Sequence, residues 1–264
     1  MDFLEEIVRE TRAAVEDPSY ARGLPARPLQ PRASLAQAIR DAGAEGALVV
    51  EHKRVSPGAS SPRLPRRSMA DFVRLGEAGR ATAFSCLATR PRFEGSPGDV
   101  ADLCARTARP VLFKEFVIDP VQLQVAARAG ASAVLLLARL SRPAYGVPIR
   151  DLATEAHALG LEVLLELHER TELSLIEGVA ADVYGVNTRN LATLALDRAE
   201  VAETLRRAAH LRPMLGLSGV DGPEEARRFW ALGVDGLLVG TGFAQAQDPV
   251  AFLDTLRRPT AGRP

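Results

Sequence analysis

The chain has 264 residues, 47% hydrophobic and 25% charged, with 33 basic and 33 acidic side chains. That is enough apolar material for a large core, and a formal net charge of zero argues against a nucleic-acid or membrane-surface binder. Two cysteines, Cys86 and Cys104, are too few for a disulfide framework or a Cys-rich metal site.

The start of the chain, MDFLEEIVRE, is acidic and amphipathic, with none of the basic and apolar blocks of a secretory leader. No apolar run approaches the roughly 18–20 residues of a membrane span. A cytoplasmic protein with no membrane and no nucleic-acid partner is the expectation. Residues 1–45 read as a helical extension: a helix over 2–16, a Pro- and Arg-rich stretch over 18–32 and a short helix near 34–42. The extension is expected to pack on the remainder, 46–264, and not to form a separate domain.

From residue 46 onward, apolar runs of strand length alternate with amphipathic, Ala- and Arg-rich segments. GALVVEHK (46–53) is followed by a helix over 68–78, ATAFSCLA (81–88) by one over 98–108, and PVLFKEF (110–116) by one over 120–129. ASAVLLLA (131–138) precedes a helix at 150–159, LEVLLELH (161–168) one at 170–178, and ADVYGVN (181–187) one at 197–208. RPMLGLSG (212–219) leads to 222–232, and VDGLLVG (234–240) to a last helix near 248–258. Asp119-Pro120, and Asp221 with Pro223 and Glu224, mark helix starts, and the glycines of ARAGAS and HALGLEV mark ends.

Strand alternating with helix eight times is the pattern of an α/β chain closed as a (β/α)8 TIM barrel. The competing doubly wound sheet lacks its dinucleotide fingerprint here, since no G-x-G-x-x-G follows the first strand and no phosphate-loop motif occurs. Segment 54–67, rich in Pro, Ser and Gly, is longer than an ordinary strand-to-helix connection. A mobile active-site loop and a solvated linker both account for it.

Only two of the 33 basic residues are lysines, Lys53 and Lys114, and each ends an apolar run. A bias toward arginine explains the rest of the surface but not these two survivors. Lysine can give up its proton when buried, whereas arginine stays charged. In a barrel of this class the catalytic groups sit at the C-terminal strand ends. Those ends carry Glu51 and Lys53, Lys114, Glu166, Asn187 and Arg189, and Ser218. Alternation puts Glu51 and Lys53 on one face with His52 opposed, so two amines, two carboxylates and an amide converge on one mouth. The turns after the seventh and eighth strands hold Gly219, and Gly240 with Thr241, where phosphate is commonly held in this fold.

These segments resemble the indole-3-glycerol phosphate synthase family. VEHKRVSP is similar to its E-x-K-x-x-S-P, LATRPRFEGS to L-T-E-x-x-x-F-x-G-S, and PVLFKEFVIDP to P-V-L-x-K-D-F-I-I-D-P. VLLELH resembles V-L-x-E-x-H, and YGVNTRNL resembles I-G-I-N-x-R-x-L. The resemblance implies ring closure, decarboxylation and dehydration of 1-(2-carboxyphenylamino)-1-deoxyribulose 5-phosphate, with no metal and no cofactor. It implies Lys114 as general acid, Glu166 as general base, Lys53 as a substrate-binding second acid, and Glu51 and Asn187 as positioning groups. Arg189 and Ser56 would hold the anionic substrate, and Ser218, Gly219, Gly240 and Thr241 would form the polar and phosphate side. Phe93 and Phe116 would wall the aromatic ring. The expected partner is a phosphorylated small molecule, and the expected state a monomer or weak homo-oligomer.

The chain departs from the family pattern at Leu217, where a glutamate is usual, at Thr89, where an acid is usual, and at Phe113, where arginine is usual. His52 also occupies a slot that is often apolar; by parity it and Phe113 face away from the catalytic side chains. His168 reads as a rim or structural histidine, with a proton shuttle as the alternative. Two other readings stand beside the synthase: an aldolase using Lys114 as a Schiff-base amine, and a phosphate-binding barrel that has lost turnover, motivated by Leu217.

Overall fold

Strands β1 (Ala47–His52), β2 (Ala83–Leu87), β3 (Val111–Lys114) and β4 (Ala133–Leu137) run parallel in sequence order. They continue through β5 (Glu162–Leu167), β6 (Val183–Asn187), β7 (Met214–Leu217) and β8 (Gly236–Val239), and β8 pairs with β1 to close the barrel. The computed structural model describes residues 3–27, 33–56, 63–188 and 197–259. Among these, helices α1 (Phe3–Glu16) and α2 (Leu35–Asp41) precede the barrel. Helices α3 (Met69–Ala78), α4 (Pro97–Cys104), α5 (Pro120–Ala129) and α6 (Ile149–Ala158) follow strands β1 to β4. Helices α7 (Arg198–Arg207) and α8 (Pro223–Ala231) follow β6 and β7, and α9 (Thr241–Gln245) and α10 (Pro249–Thr255) follow β8. No helix among the described residues is long and apolar enough to cross a membrane.

The register sets which side chains look inward. Parallel neighbours share a face, so the pairings Leu87↔Lys114, Leu137↔Glu166 and Asn187↔Leu217 place one ring of inward residues at the C-terminal mouth. Below it the interior is tightly filled: a Cβ on Gly185 would lie 2.6 Å from Leu217 and 3.4 Å from Leu164. The outer face packs on helices. His52 meets the ring of Phe72 in α3 edge-on at 5.2 Å, and a Cβ on Gly216 would lie 2.5 Å from Phe229 in α8. The parity assignment of His52 to the outer face is therefore correct.

The N-terminal helices occupy opposite ends of the barrel. Glu162, the first residue of β5, accepts the N–H groups of Leu35 (2.7 Å) and Ala36 (3.0 Å) and the Ser34 hydroxyl (2.5 Å), so α2 is seated against the N-terminal end. At the mouth, Arg92 in the turn after β2 donates to Glu6 (2.6 Å) and Glu10 (2.9 and 3.0 Å) of α1 and lies over the ring of Phe3.

Three local differences from the sequence reading have identifiable causes. The helix expected over 170–178 is a 3-10 turn, Arg170–Ile176, in which Glu172 turns back to accept the backbone N–H of His168 at 2.7 Å. The helix expected near 248–258 is α10, which starts at Pro249 where Asp248 caps it by accepting from Val250 and Ala251 and stops at Thr255, with the short α9 lying before it. β3 ends at Lys114, which places Glu115 and Phe116 beyond the strand. In segment 54–67, Val55 pairs with Arg63, and residues 57–62 lie outside the described residues.

Candidate active site

Glu51 on β1 is 3% exposed and stands between the two lysines. Its Oε1 is 3.1 Å from Nζ of Lys53, and its Oε2 is 3.0 Å from Nζ of Lys114 on β3. Burial alone would raise its carboxyl; the two ammonium groups override that and hold it down at about 2. The trio therefore carries one net positive charge at the floor of a cavity of about 930 Å³, counting its open mouth. Across that cavity, Glu166 on β5 receives the Asn187 amide on Oε1 at 3.1 Å. Its Oε2 is buried and has no hydrogen-bond partner among the described residues. Burial pushes the Glu166 carboxyl up, but His168, Lys114 and Asn187 outweigh it and keep it below the ordinary range.

The other expected residues are brought to the same cavity. Phe93 and Phe116 are a tilted pair with ring centroids 6.2 Å apart. Ser56 and Thr241 approach with hydroxyls 3.3 Å apart, and Ser218, Gly219 and Gly240 line the same side. Ser218 and Gly219 both adopt left-handed backbone (φ 63° and 68°), a costly choice for serine. Gly240 has a packing reason as well: a Cβ there would lie 2.9 Å from Oε1 of Glu51 and 3.0 Å from Nζ of Lys53. Arg189 lies outside the described residues.

Several residues at the site escape the sequence reading. Phe3 of α1 lines the cavity, and nothing in a helix 40 residues upstream of the barrel announces it. Thr89 and Glu115 line it as a pair: the Thr89 hydroxyl donates to Oε1 of Glu115 at 2.7 Å, as does the Phe116 N–H at 3.0 Å. Burial raises Glu115 to about 7, against the pull of those two donors. Thr89, read as a lost acid, is thus a donor to a neighbouring one. Of the rim and structural readings of His168, the buried position fits the structural one. The residue is 5% exposed, with Nε2 3.1 Å from Oε1 of Glu166. It stands two residues after Glu166, just past the end of β5. Leu217 is buried, with its side chain packed against Gly185.

A cavity at the strand ends with two amines, a buried bridging carboxylate, a second carboxylate and an aromatic wall suits proton transfer on a small molecule with an apolar face. Comparisons with known proteins agree in kind. Among solved structures, thiamine phosphate pyrophosphorylase from Pyrococcus furiosus superposes with a TM-score of 0.58 at 18% identity, over 84% of this chain and 96% of that one. Tryptophan synthase subunit alpha from Legionella pneumophila does so with 0.58 at 16%, over 83% and 95%. Both likenesses establish the barrel alone. By sequence, indole-3-glycerol phosphate synthase 2 of Streptomyces coelicolor is 36% identical over 219 residues, 83% of each chain. The indole-3-glycerol phosphate synthase of Exiguobacterium sibiricum is 31% identical over 256 residues, 97% of each. The model of the family described as indole-3-glycerol phosphate synthase matches residues 4–256, and the chain belongs to that family.

Proposed function

We propose that this cavity converts 1-(2-carboxyphenylamino)-1-deoxyribulose 5-phosphate to indole-3-glycerol phosphate, carbon dioxide and water, with Lys114 as the acid and Glu166 as the base. The observation that carries these roles is the bridging of the chain's two lysines by Glu51, with Glu166 on the same cavity. Condensing an arene carbon onto a ketone places negative charge on oxygen, and a fixed ammonium at that oxygen supplies the proton. Glu51 holds the Lys114 amine in place. Loss of carbon dioxide then restores electrons to the ring. Elimination of water calls for a base, Oε2 of Glu166, and for an acid at the leaving hydroxyl, a role suited to Lys53.

The arene ring packs on Phe93 and Phe116. Phosphate is held by Ser218, Gly219, Gly240 and Thr241, where the first N–H groups of α9 have no partner within the helix. Ser56 and Arg189 complete the anionic contacts. No step calls on a metal or cofactor, and the substrate is a free cytoplasmic metabolite.

The test is indole fluorescence after mixing the pure protein with the substrate, beside a Lys114→Arg variant. Product from the native chain and almost none from the variant supports the assignment. Turnover that survives in Lys114→Arg removes Lys114 as the acid.

A further inference from the structure

Behind Glu166 runs a row of charged groups that ring closure leaves unused. Nε2 of His168 is 3.1 Å from Oε1 of Glu166, and Nδ1 is 3.7 Å from Oε2 of Glu172. That same Glu172 oxygen accepts the His168 backbone N–H at 2.7 Å, while Oε1 accepts from Nε of Arg139 at 2.6 Å. All four side chains are buried: Glu166 2%, His168 5%, Glu172 0% and Arg139 5% exposed. The row is carboxylate, imidazole, carboxylate, guanidinium, leading from the cavity into the 3-10 turn after β5.

Its charges balance only when the imidazole carries a proton. A neutral ring would leave two carboxylates facing one guanidinium in a low-dielectric interior, which is costly. The 3-10 winding of Arg170–Ile176 is what returns Glu172 to the ring.

We propose that His168 is the positioning residue of the base: its imidazolium, set between Glu166 and Glu172 as an ion-pair partner without a ring hydrogen bond to either, keeps the Glu166 carboxylate ionised by its charge and leaves Oε2 to take the substrate proton. The proposal rests on the reading of Glu166 as the base. Asn187 from β6 shares Oε1 and cannot itself supply charge. Lys114 from β3 adds positive charge on the cavity side. Glu169 and Arg142 flank the outer end, where Glu169 also meets Arg139 at 3.3 Å. The titration tendencies agree: burial works against the imidazolium, yet its two carboxylate partners raise His168 to about 9.

The experiment compares steady-state kinetics from pH 5 to 9 for the native enzyme, His168→Gln and Glu166→Gln, each checked by thermal melting. Glu166→Gln is expected to lose about 1000-fold or more in kcat. In His168→Gln, kcat is expected to fall about 10- to 100-fold with KM nearly unchanged. Its acidic limb should also move up by about one pH unit or more, because a buried carboxylate without its cation keeps a proton longer. A dead Glu166→Gln beside a His168→Gln with the native limb and kcat within about twofold overturns the positioning role and leaves the base intact. Near-native turnover in Glu166→Gln removes the base reading itself. Should His168→Gln fail to fold, Glu172→Gln decides by NMR titration of the His168 ring. A midpoint lowered by about one unit supports the proposal, and an unchanged one overturns it.

Discussion

Oε2 of Glu51 and Nζ of Lys114 meet at 3.0 Å across the barrel mouth, although the two residues lie on different strands, β1 and β3. The carboxylate is almost wholly buried and also contacts Lys53, so both amines are paired to one group that water does not reach.

Replacing Glu51 by glutamine should therefore cost both stability and rate. Two half-buried ammonium groups would share a neutral amide in place of a buried carboxylate, a loss of about 1–3 kcal/mol. The pH dependence has a definite sign. Held at about 2 in the fold against an ordinary 4.5, the Glu51 carboxyl stabilises fully above 4.5, and that contribution is lost as pH falls from 4.5 toward 2. Acid-unfolding curves of Glu51→Gln should be shallower than native across that interval, and an equally steep curve would count against the pairing.

Glu115 works in the opposite sense. Its folded value of about 7 lies above the ordinary 4.5, so the unfolded chain releases this proton first. Folding stability should decline as pH rises from 4.5 to 7 on account of this residue. Glu115→Gln, which keeps an acceptor for Thr89 and Phe116, should be more stable than native at pH 8, by up to about 3 kcal/mol. The gain should vanish near pH 4, below the ordinary value of 4.5. Thermal melts at the two pH values decide it.

Gly240→Ala should damage the site more than the fold. The new methyl would press on Glu51 Oε1 and Lys53 Nζ at about 3 Å, displacing one of them. A drop of about tenfold or more in kcat/KM with a nearly native melting temperature is the expected result. A large fall in melting temperature with unchanged kcat/KM would show that the glycine serves the backbone and not the pair.

Arg92 ties α1 to the mouth through Glu6, Glu10 and the Phe3 ring. These partners are about a third exposed, so Arg92→Ala should cost only about 1 kcal/mol of stability. Because Phe3 lines the cavity, KM should rise several-fold while kcat changes little. KM measured for both proteins at matched salt checks this.

The period of the apolar runs, their order and the residues at their ends were enough to give the barrel and to collect Glu51, Lys53, Lys114, Glu166 and Asn187 at one mouth. Strand alternation and the C-terminal placement of functional groups are local rules, and local rules survive in a sequence. Parity also placed His52 on the outer face, against Phe72. The helix over 170–178 failed for a non-local reason: Glu172 gains more from a buried histidine and arginine than an α-helical turn would return.

Tertiary structure alone decided the rest. Which oxygen of Glu51 meets which lysine depends on how β1 and β3 tilt in the closed barrel. The seating of α1 over the mouth, and so the presence of Phe3 in the cavity, depends on Arg92 more than 80 residues later in the chain. The proton affinities of Glu115 and His168 depend on depth and on partners from other elements. A sequence names the titratable groups; burial and distance, which exist only once the chain has closed on itself, set what those groups do.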